Sequence, residues 1–189
     1  MNVHSRAELL QGPTADHSMP LYTISIAAKL TNTTVYTLRV YEDKGLIIPH
    51  RTRTGRRLYS DTDITRLRFI REHIDQQGLN IAGIKSLMAM IPCWLLKPCT
   101  PEEWMQCAAY ESTTDPCWRA SNKSSACRNE DCRYCSVYHI PERCADAKSL
   151  YKELLGPDAV SWLACVRRQA STSTGCVRTS SPRYGRCCS

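Results

Sequence analysis

The stretch "YTISIAAKLTNTTVYTLRVYEDKGLIIPHRTRTGRRLYS" (residues 22–60) decides how this chain is read. Ile24, Ala27, Ala28 and Leu30 fall on one helical face, with Ser25 as the candidate N-cap. The polar break "TNTT" follows, and Thr34 offers a second N-cap. Val35, Leu38 and Tyr41/Glu42 then recur at three-to-four spacing until Gly45, a candidate C-cap. Two short helices around a tight turn make a helix-turn-helix. The continuation "LIIPHRTRTGRRLYS" (residues 46–60) predicts two short strands around a Thr-Gly turn, a hairpin wing.

Working outward, Ser60 or Asp61 caps a third helix whose stripe Ile64, Leu67, Ile70 and Ile74 faces inward. Gly78 breaks it, "NIAGIKSLMAMI" (80–91) predicts a fourth helix, and Pro92 ends that one. Upstream, residues 1–20 predict a flexible arm. Downstream, residues 145–166 predict two short helices split at Gly156-Pro157, and the Ser/Thr/Arg-rich residues 167–189 a disordered basic tail.

The net charge of +7 is unevenly spread. Residues 20–90 carry eleven Lys/Arg against six Asp/Glu, whereas residues 91–144 carry six against seven, which points to a polyanion partner for the first segment only. The second helix offers Thr34, Tyr36, Thr37, Arg39 and Tyr41 to base edges and phosphates. The wing adds Arg51, Arg53, Arg56 and Arg57, with Tyr59 as a phosphate hydrogen-bond donor. A plainer reading makes Tyr41 a core aromatic, pairs Arg39 with Glu42, and leaves Arg53 as a solvated tip.

With these elements placed, residues 21–91 resemble the MerR family of bacterial transcription regulators. Thr37-Leu38-Arg39, Tyr41-Glu42, Gly45-Leu46 and Arg57-x-Tyr59-Ser60 sit in that family's order and spacing, and "GLNIAGIKSLM" is closest to members that repress heat-shock genes. The resemblance implies a winged helix-turn-helix that binds double-stranded operator DNA as a homodimer and distorts it, with RNA polymerase as the partner at the promoter. Two features depart from the pattern. Arg56 stands where the family usually has an aromatic residue, and Pro92-Cys93 replaces the start of its long dimerisation helix.

Residues 92–144 are of another kind. "IPCWLLKPCTPEEWMQCAAY" (91–110) and "DPCWRASNKSSACRNEDCRYCSVY" (115–138) both carry Pro-Cys-Trp, a middle Cys and a closing Cys-x-x-Tyr. The repeat aligns Cys93 with Cys117, Trp94 with Trp118, Cys107 with Cys135 and Tyr110 with Tyr138. Cys99 and Cys127 lie between, and Cys132 forms "CRYC" with Cys135. The first twenty residues lack the apolar core of a signal peptide, and no run of about 18 apolar residues could span a membrane. A cytoplasmic address follows, where thiols stay reduced and cysteine clusters bind metal.

Cys93, Cys99, Cys107, Cys117, Cys127, Cys132 and Cys135 are therefore the candidate metal ligands, supplying a Cys₄ site from the two copies folded together. Both a metal ion and an iron–sulfur cluster fit soft thiolates, and the four aromatics would shield the site. The pattern resembles the two-CW module of bacterial proteins, which brings no assigned chemistry. Four readings compete for it: a sensory metal or redox site, a structural zinc or partner-binding module, disulfides or unliganded buried cysteines, and, remotely, a thiol oxidoreductase using "CRYC". The expected architecture is mainly α, a winged helix-turn-helix at 21–91 followed by a small metal-stabilised cysteine domain at 92–144.

Overall fold

The computed structural model describes residues 17–143, 148–152 and 154. The predicted arm through residue 16, the helices around Gly156-Pro157 and the C-terminal tail lie outside the described residues. Contacts divide the chain into two compact units, residues 1–147 and 148–189. In the second unit residues 148–152 are helical. The winged segment and the repeated cysteine segment thus lie within one compact unit.

The first unit opens with β1 (Tyr22–Thr23), then α1 (Ile24–Leu30) and α2 (Val35–Asp43). Thr23, not Ser25, is the N-cap of α1, because the preceding two residues are held extended as a strand. The turn between the helices is closed by the Thr31 hydroxyl, which donates to the Ala27 carbonyl at 2.8 Å, and by Asn32 at φ 48°. Asn is among the few non-glycine residues that tolerate that left-handed conformation. Thr34 caps α2 as expected, its hydroxyl oxygen accepting from the Thr37 N–H at 3.0 Å. Gly45 (φ 75°) turns the chain out of α2.

The wing strands are β2 (His50–Arg51) and β3 (Arg57–Tyr59), joined through Gly55 at φ 78°. Tyr22 pairs with Tyr59 and His50 with Leu58, so β3 is the centre of a three-stranded antiparallel sheet. The strand at 22–23 is too short to show a period-two pattern in sequence. α3 (Asp61–Asp75) starts from a reciprocal Ser60/Asp63 capping box, and α4 (Ile81–Ala89) from an Asn80 cap. Beyond Pro92 the described elements are short. The first copy holds α5 (Cys93–Leu96), α6 (Pro101–Met105) and α7 (Ala108–Glu111). The second holds a 3₁₀ turn at Cys117–Arg119, α8 (Ser125–Arg128), a 3₁₀ turn at Cys132–Tyr134 and α9 (Ser136–Arg143).

One core serves both segments. Leu38, Leu46, Ile47, Ile64, Leu67, Ile70, Ile84 and Met88 form its aliphatic part, and Trp118 and Tyr138 of the second cysteine copy complete it. Burial of those two large aromatics removes more apolar surface from water than any aliphatic pair here could, so the cysteine segment is part of the fold's driving force. Arg66 is the exception to the apolar rule. It lies on α3 beside the expected stripe and is 0 % exposed. Its Nε donates to the Leu46 carbonyl at 2.6 Å and its Nη1 to the Tyr138 carbonyl, with the guanidinium 3.9 Å from the Tyr138 ring centre and 4.8 Å from that of Trp118. Buried charge is tolerated because each face and edge of the fork meets an acceptor or a π-cloud.

Candidate nucleic-acid interface and cysteine cavity

The surface expected to meet DNA is built by α2 and the wing. Thr34, Tyr36 and Arg39 are exposed on α2, Tyr36 at 77 %, and Thr37 is half-buried behind them. Thr34 and Thr37 also share a hydroxyl contact at 2.8 Å, so both belong to the cap as well as to the surface. On the wing Arg53 and Arg56 are exposed and, among the described residues, make no ion pair.

Four expected contacts are placed differently. Tyr41 is 2 % exposed and Tyr59 0 %, both in the core. The reason is their register: Tyr41 lies one helical turn after Leu38, and Tyr59 faces inward from the central strand. The Tyr59 hydroxyl is buried in the core. Arg51 and Arg57 both form ion pairs with Glu42 at the end of α2. Glu42 thus ties both wing strands to the recognition helix and takes those two cations out of the free set. The partner proposed for Glu42 from helical spacing, Arg39, leaves it for the two arginines that the wing brings across. Of the five arginines expected to contact DNA, Arg39, Arg53 and Arg56 make no ion pair among the described residues.

All seven cysteines between 93 and 135 are free thiols, and all seven line one cavity of about 30 Å³ that is partly open to solvent. The duplication is structural as well as sequential. Trp94 packs edge-on against Tyr110 at 4.9 Å and 82°, and Trp118 against Tyr138 at 4.9 Å and 78°. The two copies are joined by a Lys97–Glu130 ion pair at 2.6 Å and by the Ala108 N–H donating to the Asn122 carbonyl at 3.0 Å. His139 does not face the cavity's sulfurs; its Nε2 lies 2.7 Å from the Arg133 carbonyl.

The thiols are not equivalent. Cys93 and Cys117 share a hydrogen bond, which lowers Cys93 and, with burial, raises Cys117 well above a free thiol. Burial pushes Cys127 up to about 11 and raises Cys135 as well. A redox nucleophile needs a lowered value, and burial shifts Cys135 of "CRYC" the other way. Among the described residues no three His, Cys, Asp or Glu side chains converge closely enough to hold a single metal ion.

The cavity is wired to the recognition helix, which sequence reasoning missed. Trp118 follows the cavity cysteine Cys117 directly, and its indole N–H donates to the Gly45 carbonyl at 2.7 Å. The Ile48 N–H donates to the Tyr138 hydroxyl at 2.8 Å. Gly45 is doubly required: its φ is positive, and a Cβ there would collide with the Arg119 side chain. Lys85 on α4 pairs with Asp115 at 2.7 Å, and Arg133 Nη1 lies 2.7 Å from His50 Nδ1 on the wing.

This fold defines a winged helix-turn-helix module. The family model described as MerR HTH family regulatory protein matches residues 22–91, so this segment is a MerR-type helix-turn-helix domain. The chain is similar to the HTH-type transcriptional regulator GlnR of Bacillus anthracis, 42 % identical over 73 residues, or 39 % of this chain and 56 % of that protein. It is also similar to the putative heat shock protein HspR of Streptomyces coelicolor, 41 % identical over 71 residues (38 % and 47 %). A further relative is the HTH-type transcriptional regulator MlrA of Escherichia coli, 40 % identical over 72 residues (38 % and 29 %). The chain spans about half the length, or less, of these curated relatives, and the matched stretches are no longer than a DNA-binding domain.

Proposed function

We propose that this protein is a DNA-binding transcription regulator, not an enzyme, whose grip on promoter DNA is set by a thiolate-bound metal centre in the cysteine cavity. The relatives' printed names support the first half. A single observation carries the second: Cys117 lines the cavity, and the adjoining Trp118 holds the carbonyl at the end of the recognition helix. A change in how the cavity's sulfurs are held therefore reaches α2 through one residue, with no mobile linker between. Binding as a homodimer near RNA polymerase in the cytoplasm is part of this proposal. No described helix is long and apolar enough to cross a membrane.

The test is fluorescence anisotropy with the full chain on its own promoter region and on random duplex, before and after a chelator strips bound metal. A clear promoter preference and at least a tenfold change in affinity on stripping are expected. Equal affinity for promoter and random duplex would remove the regulator reading. Unchanged affinity after stripping would remove the sensing role and leave a structural metal site.

A further inference from the structure

We infer that the ring pair of the first cysteine copy, Trp94 and Tyr110, is a docking face for a partner protein that presents an arginine beside the backbone of a helix end. The inference stands whatever the cavity's sulfurs hold.

The second copy shows what such a ring pair grips. Trp118 and Tyr138 meet in nearly the same geometry as Trp94 and Tyr110, 4.9 Å and 78° against 4.9 Å and 82°. The Trp118 indole N–H holds the Gly45 carbonyl at the end of α2, and the Tyr138 hydroxyl accepts from the Ile48 N–H in the turn that follows. The Arg66 guanidinium lies over both rings. The second copy is therefore an intramolecular clamp on a helix end, its turn and a cation, using the apolar body and the polar handle of each ring together.

The first copy keeps the clamp and lacks its contents. Among the described residues the Trp94 indole N–H and the Tyr110 hydroxyl make no hydrogen bond, and no cation lies over either ring. Tyr110 is 38 % exposed where its counterpart Tyr138 is 1 %, and Met105 on α6 is exposed as well. Trp104 packs on Tyr110 at 4.5 Å and 48°, which holds the Tyr110 ring ready and lowers the entropy cost of docking. Exposed, pre-positioned aromatics with unpaired polar handles are the usual anchors of a protein interface.

Charge selects the occupant. Residues 91–111 carry Glu102, Glu103 and Glu111 against Lys97 alone, and Lys97 is taken by Glu130. Glu102 and Glu111 are exposed on α6 and α7, the helices that bear Trp104 and Tyr110. A second copy of this face would set like charges against each other, and a phosphate backbone would be repelled. A basic protein segment is attracted. This chain's own Gly45, Ile48 and Arg66 are already held by the second copy, so the segment belongs to another protein.

The deciding experiment titrates the full chain with a fluorescein-labelled alanine–glutamine helical peptide ending in Arg-Gly-Leu-Ile-Ile, read by anisotropy at low salt. Saturable binding with a Kd below about 1 mM is expected. Citrulline in place of the peptide's arginine should weaken it about tenfold, because shape is kept and charge is lost. Trp94→Phe, which keeps the ring and deletes the N–H, should weaken it about fivefold with an unchanged dichroism spectrum. Glu111→Gln, an exposed change that leaves the rings alone, should weaken it about threefold. No saturable binding at low-millimolar peptide overturns the inference, as does equal affinity for the arginine and citrulline peptides. A change of oligomeric state in Trp94→Phe with peptide affinity untouched would make a second copy the occupant and overturn it too.

Discussion

Tyr59 has its ring in the core and its hydroxyl buried without a hydrogen-bond partner among the described residues. Burial pushes its pKa up to about 12 from 10.0. An acid whose folded value is raised contributes stability that is intact below the unfolded value and lost as pH rises toward the folded one. Above pH 10 the unfolded chain releases this proton and the folded chain keeps it, so stability falls by up to about 1.4 kcal/mol per pH unit from this group. Tyr59→Phe removes both the unpaired hydroxyl and the titration. Urea unfolding should show the variant equal to or more stable than the parent at pH 9, with the gap widening at pH 11. A gap of the same size at both values would contradict the burial argument. Arg66 is the opposite case, a buried polar group with its needs met. Arg66→Met should cost about 3 kcal/mol, because the Leu46 and Tyr138 carbonyls lose their donors inside the core.

Among the elements, the recognition helix is held from two sides. Glu42 gathers the wing arginines Arg51 and Arg57, and Trp118 holds the carbonyl of Gly45. With Arg39, Arg53 and Arg56 of each protomer meeting phosphates, a homodimer would neutralise about six of them. The logarithm of its affinity should then fall with the logarithm of salt concentration with a slope of about −5. Glu42→Gln frees two more cations per protomer, so the slope should steepen and affinity for random duplex should rise. An unchanged slope would mean that Arg51 and Arg57 reach phosphates despite the carboxylate. Trp118→Phe keeps the ring packing and deletes the N–H. It should cost about 1–2 kcal/mol in thermal or urea unfolding and weaken promoter binding by more than that stability loss explains. Equal DNA affinity in parent and variant would show that the contact is structural only.

Over the whole first unit, the helix-turn-helix and the cysteine copies share a core. Three of the four tryptophans, Trp94, Trp104 and Trp118, lie in the cysteine segment and none in the winged segment, so indole fluorescence reports mainly the cysteine segment, while far-ultraviolet dichroism reports mainly the long helices. Both should follow one unfolding curve, since Trp118 and Tyr138 are buried among residues of α3 and α4. A chain ending at residue 91 would leave Arg66 without its aromatic cover and with the Tyr138 carbonyl missing. It should be markedly less stable than the parent, where an independent domain would be unaffected.

Local rules carried much of this protein. The two helices and their Thr34 and Gly45 ends, the wing around Gly55 and the Ser60 cap are all set by neighbours a few residues away, and their pattern is visible in the chain. So was the duplication, because paired Cys, Trp and Tyr recur at fixed offsets. What the tertiary structure alone decided concerns residues far apart: Arg51 and Arg57 on one Glu42, Tyr59 turned into the core, Arg66 between two rings of the second copy, and Trp118 against Gly45. Each of these depends on which surfaces meet, and no spacing rule links positions 73 residues apart. Helix ends and turns answer to local hydrogen-bond supply, whereas a buried ion or an inter-segment contact answers to the packing of the finished core.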